Sequence, residues 1–457
     1  MSAQTNDLGT FPVHKLLLRL AAPAILAQLI NALYNIVDRI YIGNMSGIGH
    51  LAITGVGLTF PIITLIAAFA CMVGMGGAPL MSMSLGEKNL QKAQTILSTC
   101  MVTLAALAVV LTAAFLIWKI PFLYAFGASD DTIPFADEYI SIYLMGSIFV
   151  MISLGLNSFI TAQGFSKTGM LTVVIGAMAN IILDPVFIFV FDLGVRGAAI
   201  ATVISQGISA AWVLAFLFGK KTTVKVRLKK LRIDWKLLGA VLALGISPFI
   251  MQSTESLVMI VLNTLLQHYG NDYYVGAMTI ISSVSQVTMM PLMGLTQGAQ
   301  PILSYNYGAG QFGRVRKGYK LLMRYCVSYA FLLWLSFLLV PQIYIHLFNS
   351  EPHLVSTAVP SLRIQMGCIF AMGVQNGCQQ TFLALGRAKI SLFLALLRKI
   401  VILIPLACIL PLFMGVNGVF YVQPVADLLA ASSTAACFAV FYHKHLKNAG
   451  KALREET

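Results

Sequence analysis

The chain has 457 residues, 58% of them hydrophobic and 10% charged, with a mean hydropathy of +0.84. So little polar material cannot cover the surface of a soluble protein of this length, which excludes an ordinary globular domain and points to a chain that crosses a membrane many times. The net charge of +14 does not mark a nucleic-acid surface, because the basic residues gather between apolar runs, where they orient a membrane protein.

A membrane span needs about 20 apolar residues. Twelve segments reach that length: 16–42, 52–82, 96–118, 139–163, 169–191, 197–219, 238–268, 275–303, 321–347, 359–386, 390–412 and 418–442. The first carries Asp38, with Asn35 and Asn31 one and two turns earlier. The second holds GMGGAP at 74–79. No strand precedes these glycines and no Lys-Ser/Thr follows them, so they suit close helix packing and not a phosphate loop. The fifth holds NIILDP, which places Asn180 and Asp184 on one helix face at i, i+4. Pro185 deprives the Ile181 carbonyl of its helical donor. The sixth carries Thr202.

The basic stretch 220–236 follows the sixth segment. The seventh segment has Glu255, and the eighth has TMMPLMG around Pro291, which includes Met290. Flexible, polarizable methionines suit a surface that accepts many ligands, and equally suit gap filling. The tenth contains no acid and offers Asn376, Gln379 and Gln380. Arg398 and Lys399 sit about eight residues into the eleventh, where they are expected to snorkel to the inner surface or face a wet cavity. Asp427 lies in the twelfth. All seven cysteines fall in apolar runs without CxxC pairs, so no disulfide framework or thiolate metal site is expected. The N-terminus shows no short apolar region with a cleavage site, so no removable signal peptide is expected.

Most Lys and Arg lie on the side of the two termini, which places both ends in the cytoplasm. The chain also repeats itself. Gly-Val-Arg-Gly at 194–197 recurs as Gly-Val-Asn-Gly at 415–418, and FITAQGFSKTG at 159–169 matches TFLALGRAKIS at 381–391. The stretch around Pro23 matches that around Pro248, and LGEKNLQKA at 85–93 faces YGAGQFGRV at 307–315. The expected organisation is an all-α membrane protein of two parallel six-helix lobes, 1–219 and 237–442, with a basic linker at 220–236 and a tail at 443–457. Parallel repeats of this kind are a transporter feature.

Four acids lie within spans: Asp38, Asp184, Glu255 and Asp427. A charge at the bilayer centre costs at least about 2.5–3.5 kcal/mol, so each is a functional candidate. Asp38, Asp184 and Thr202 all fall in the outer half of the first lobe on a rise of about 1.5 Å per residue, and Asn180 shares a helix face with Asp184. Burial makes a carboxylate's charged form costly, so such a group can take up and release a proton. The same hard oxygens can instead hold a sodium ion. Asn263 stands at the repeat position of Asp38, and Gln206 at that of Asp427.

Twelve helices in two parallel halves, Pro23 and Asp38, the Asn180-x-x-x-Asp184-Pro185 motif, Thr202 and the paired Gly-Val-x-Gly turns resemble the multidrug and toxic compound extrusion (MATE) family, MepA-like bacterial members most of all. The resemblance spans essentially the whole chain. It implies a V-shaped pair of lobes that alternate access and export amphipathic, often cationic, drugs in exchange for a proton or sodium. It further implies a multi-pass protein of a prokaryotic plasma membrane, with drug-like small molecules and the bilayer as partners; apart from the coupling ion no cofactor is expected, nor enzymatic activity or a nucleic-acid partner, and a monomer is the expected state. The family's coupling cluster maps onto Asp38, Asn180, Asp184 and Thr202, which makes these four the candidate sodium site. Glu255 matches an acid that another branch uses with a second acid on the tenth helix, which is absent here. Asn35, Gln163, Glu255, Met290, Asn376, Gln379 and Arg398 are the expected substrate-cavity lining or a polar site of the second lobe. The alternative is a flippase for lipid-linked sugars from the same superfamily, which calls for a strongly basic cavity. An enzyme acting on lipids calls for His or acid clusters near an interface, and the seven His residues are scattered.

Overall fold

A chain whose segments are apolar on all sides can satisfy its backbone in lipid only within helices. The computed structural model describes residues 7–45, 49–226, 233–348 and 351–447. Helix dominates these residues, and no strand occurs among them. Parts of the expected linker (227–232) and tail (448–457) lie outside the described residues.

The spans, in chain order, are α1 (Val13–Gly43), α2 (Gly49–Gly86) and α3 (Leu90–Ala125). The pair Ile133–Met145 and Ser147–Ala162, bent by 58°, forms α4. Ser166–Pro185 continues as the wider π-type turn Val186–Val190 to form α5, and α6 is Gly194–Phe218. Next come α7 (Trp235–Tyr269), α8 (Asp272–Gly308) and α9 (Phe312–Leu339). Pro352–Gln365 and Ile369–Ala384, bent by 48°, form α10. The last helical run, Ala388–Lys447, has 60 residues, and Gly415 breaks it with φ 55° and ψ −136°. Its two arms, 388–414 and 416–447, are α11 and α12.

Among the described residues, nine helical runs are long and apolar enough to cross a membrane, and the two bent pairs bring the number to eleven. Because the 60-residue run is twice too long for one crossing, its division at Gly415 gives the twelve spans expected. Large apolar side chains such as Ile117, Val190 and Phe413 are exposed, as lipid-facing positions should be. Several helices outrun their apolar stretches, because at a rise of about 1.5 Å per residue even 30 residues exceed a hydrocarbon core of about 30 Å. Polar caps set some of their starts. Asn89 accepts from the Lys92 N–H, Asn271 from that of Tyr273, and Asp234 from those of Lys236 and Leu237.

The backbone repeats as the sequence does. Positive φ angles occur at Lys88 and Gly310, at Gly164 and Gly386, and at Gly194 and Gly415, each pair 221 or 222 residues apart. The break of α4 at Gly146 and that of α10 around Gly367 keep the same spacing.

By internal contacts the chain forms two compact units. The first is built on Leu26–Gln252, and the second on Gly9–Ile25 with the chain from Ser253 onward. Each of the repeat mates α1 and α7 therefore contributes to both units, and each divides within a few residues of a proline, Pro23 or Pro248. In the first unit α7 lies so close to α2 that a Cβ on Gly245 would stand 1.8 Å from the Met72 carbonyl oxygen. In the second, α1 lies against α8, where a Cβ on Gly298 would stand 2.4 Å from Ala21 Cα. Only glycine permits backbones this near.

Candidate functional site

Pro185 supplies no N–H to Ile181, and α5 continues beyond it as a π-type turn. One turn before the proline, the i, i+4 spacing brings two polar side chains together. Asn180 Nδ2 donates to Asp184 Oδ1 at 3.1 Å and reaches Thr202 Oγ1 of α6 at 3.5 Å. Asn180, Asp184 and Thr202 are 1%, 0% and 4% exposed. Asp38 of α1 completes the group, its carboxyl close enough to that of Asp184 for the two to interact electrostatically. All four residues of the predicted coupling cluster meet in the first unit.

Tyrosines surround them. Tyr34 lies beside both carboxyls, and Tyr139 lies beside Asp38 and Thr202. Tyr143 stacks on Tyr139 with ring centroids 6.3 Å apart. Three acceptor oxygens, Asp38 Oδ1, Asn180 Oδ1 and Asp184 Oδ2, are buried without a hydrogen-bond partner. Arg39, the neighbouring cation, places its guanidinium 5.7 Å from the Phe60 ring centroid. Among the described ion pairs, none includes Asp38 or Asp184. Buried acceptors that nothing satisfies are costly, and a proton or a small hard cation removes that cost.

A polar cavity of about 60 Å³ adjoins the cluster and shares Asn180 and Thr202 with it. Asn31, Asn157, Gln206 and Ser209 also line it. Sequence reading passed over Asn157, Ser209 and Tyr139 and treated Gln206 only as a repeat mate. The pairs 153/157, 202/206 and 205/209 stand at i, i+4 within apolar helices, and that spacing was the available signal.

The remaining candidates are placed as follows. Asn35 is exposed and donates to the Asn31 carbonyl of its own helix at 2.6 Å. Gln163 is fully buried. Its Oε1 accepts from the Thr222 hydroxyl and from the N–H groups of Thr223 and Val224, so it anchors the chain after α6. Its repeat mate is Leu385, an apolar residue without a side-chain amide to donate or accept. Met290 is buried in the second unit. Asn376 donates to the Met372 carbonyl, and Gln379 of α10 donates to Ser391 of α11.

Arg398 and Lys399 neither snorkel nor face a wet cavity. Both are buried and paired, in the π-type turn Leu397–Leu403 of α11. Arg398 donates through Nε and Nη2 to Asp427 Oδ1, at 3.2 and 2.8 Å, and Lys399 Nζ stands 2.5 Å from Glu255 Oε2. Carboxylates within reach hold these cations more firmly than a distant headgroup layer would.

This architecture has counterparts among known proteins. Multidrug export protein MepA of Staphylococcus aureus is 25% identical over 421 residues, 92% of each chain. Multidrug export protein MepA of Staphylococcus haemolyticus is 25% identical over 437 residues, 95% of this chain and 94% of its own. A solved structure of a MATE protein in the bent conformation superimposes with a TM-score of 0.90 at 22% identity, over 99% of both chains. The outward-facing structure of a multidrug resistance MATE family transporter gives 0.89 at 22% identity, over 99% of this chain and 100% of its own. The MatE family model matches residues 23–186 and 248–409, one stretch in each copy of the repeat. This chain belongs to the MatE family, that of the multidrug and toxic compound extrusion transporters.

Proposed function

We propose that this protein exports amphipathic, often cationic, drugs and toxic organic compounds across the plasma membrane of a bacterium, by alternating access and in exchange for a coupling cation. One observation carries the reading: Asp38, Asn180 and Asp184 each keep a buried acceptor oxygen without a partner, in the group of side chains that Asn180 joins to Thr202. A set made only of hard oxygens suits a proton shared between carboxylates or a sodium ion. A permanently bound structural cation would come from the chain itself, as Lys399 and Arg398 do in the second unit. The first-unit acids have no such partner among the described ion pairs, which supports a counter-ion that exchanges.

Basic residues crowd the side of the termini, which is the cytoplasmic side by the positive-inside rule. A flippase for lipid-linked sugars would need free cations for its phosphates. The two basic residues deepest in the second unit are instead neutralised by Asp427 and Glu255.

The test is made on the purified protein in liposomes. An imposed cation gradient should move a fluorescent cationic dye, and a labelled lipid-linked oligosaccharide should stay in its leaflet. Lipid translocation with a stationary dye would replace this reading with the flippase one.

A further inference from the structure

The two units treat their buried acids differently. The first keeps two carboxylates, Asp38 and Asp184, together and without a basic partner among the described ion pairs. The second also has two acids in its spans, Glu255 of α7 and Asp427 of α12, and each is held by a base. Both bases come from one turn of α11. Consecutive side chains of an α-helix diverge by about 100°, and here Arg398 and Lys399 reach acids on two different helices from within a π-type turn.

The repeat shows what these cations replace. Gly176 and Ala177 stand 222 and 221 residues before Arg398, and Gln206 stands 221 before Asp427. In the first unit those three residues line the polar cavity beside the Asp38–Asp184 cluster. In the second, a guanidinium and a carboxylate bonded to one another take their positions. The second unit also lacks the first unit's acids: Asn263 stands for Asp38, and Pro405 or Leu406 for Asp184.

The Lys399–Glu255 pair is lopsided. The lysine side chain is 4% exposed, whereas that of Glu255 is 65% exposed. The exposed side of Glu255 leaves room for a mobile cation, but the tethered amine already sits against the carboxylate. A group attached to the same fold competes at an effective concentration of about millimolar or more, so a weakly bound free ion is displaced.

We propose that Lys399 and Arg398 are built-in counter-cations, which take in the second unit the role of the exchangeable cation and so confine ion exchange to the first. Removing the Lys399 charge then turns Glu255 into a cation-binding carboxylate. The first-unit half of this statement rests on the proposed function, whereas the latent site at Glu255 does not.

The experiment measures equilibrium binding of radioactive sodium, and proton uptake with a pH indicator, on the full chain purified in detergent. Wild type and Glu255→Gln should bind the same number of ions. The Asp38→Asn/Asp184→Asn double variant should lose that binding. Adding Lys399→Met to the double variant should restore one saturable sodium site per chain, and adding Glu255→Gln as well should remove it. If the double variant keeps its binding, the reading of the first unit fails, and the comparison with and without Lys399→Met still decides the proposal. No new site on Lys399→Met, or fewer ions bound by Glu255→Gln alone, overturns it. Where Lys399→Met does not yield monodisperse protein, Lys399→Gln, which removes the same charge and keeps a polar side chain, takes its place in the comparison.

Discussion

Asp38→Asn and Asp184→Asn, made separately, are expected to abolish cation-driven efflux while the protein stays in the membrane at wild-type level. Asparagine keeps the shape of the carboxylate and removes its charge. Since a buried charge costs at least about 2.5–3.5 kcal/mol in a span, its removal relieves the fold. What disappears is the ability to bind a proton or sodium ion and to release it. Each loss of about 1.4 kcal/mol in ion binding is a factor of ten, and losing a carboxylate ligand outright should lower the initial efflux rate at least about 100-fold on that scale. The check pairs dye efflux in cells with protein quantified in the membrane fraction. If the acids served only as contacts between helices, the pattern would reverse: less folded protein, with transport intact in what remains.

The second large effect concerns stability. Arg398→Met or Asp427→Leu alone leaves a buried charge without its partner, because both side chains are only 8% exposed. Breaking such a pair costs about 3–5 kcal/mol, whereas replacing both partners with apolar groups is often neutral. Thermal unfolding in detergent should therefore show a marked fall for each single variant and recovery in the Arg398→Met/Asp427→Leu double variant. Lys399→Met should cost less, because the Glu255 it abandons is largely exposed. Equal losses in all three single variants with no recovery in the double would show that packing, and not pairing, holds α11 to α12.

The spans and the repeat were legible in the sequence because both depend on local signals. Length and apolarity mark a helix, and a turn that needs a positive φ favours glycine in both copies, as at Gly194 and Gly415. The coupling cluster was half legible. Asn180 and Asp184 share a face by helical spacing alone, and depth along the helices puts Asp38 and Thr202 at a similar level, whereas their joint role in coupling is what the family resemblance implies. The pairing of Lys399 with Glu255, 144 residues apart, had no local signal, and an isolated span made snorkelling the natural expectation. An amide at the end of a span has two uses, and the sequence alone points Gln163 to cavity lining. The segment it holds begins some 60 residues later, and only the fold shows which use applies. The cavity residues of α4 and α6 were written at i, i+4 spacing but as serines and amides, which lack the cost that makes a buried acid conspicuous.

The claim on which all of this turns is that the first-unit acids exchange their cation once for each movement of cargo. The most direct measurement loads proteoliposomes with dye, imposes no ion gradient, and follows dye exit together with pH and internal sodium. The account predicts that dye leaving the liposomes drives a proton or sodium ion inward, in fixed proportion, and that Asp184→Asn removes this opposing flux. Dye that exits with no opposing ion flux, or an ion flux that survives both Asp38→Asn and Asp184→Asn, would contradict it.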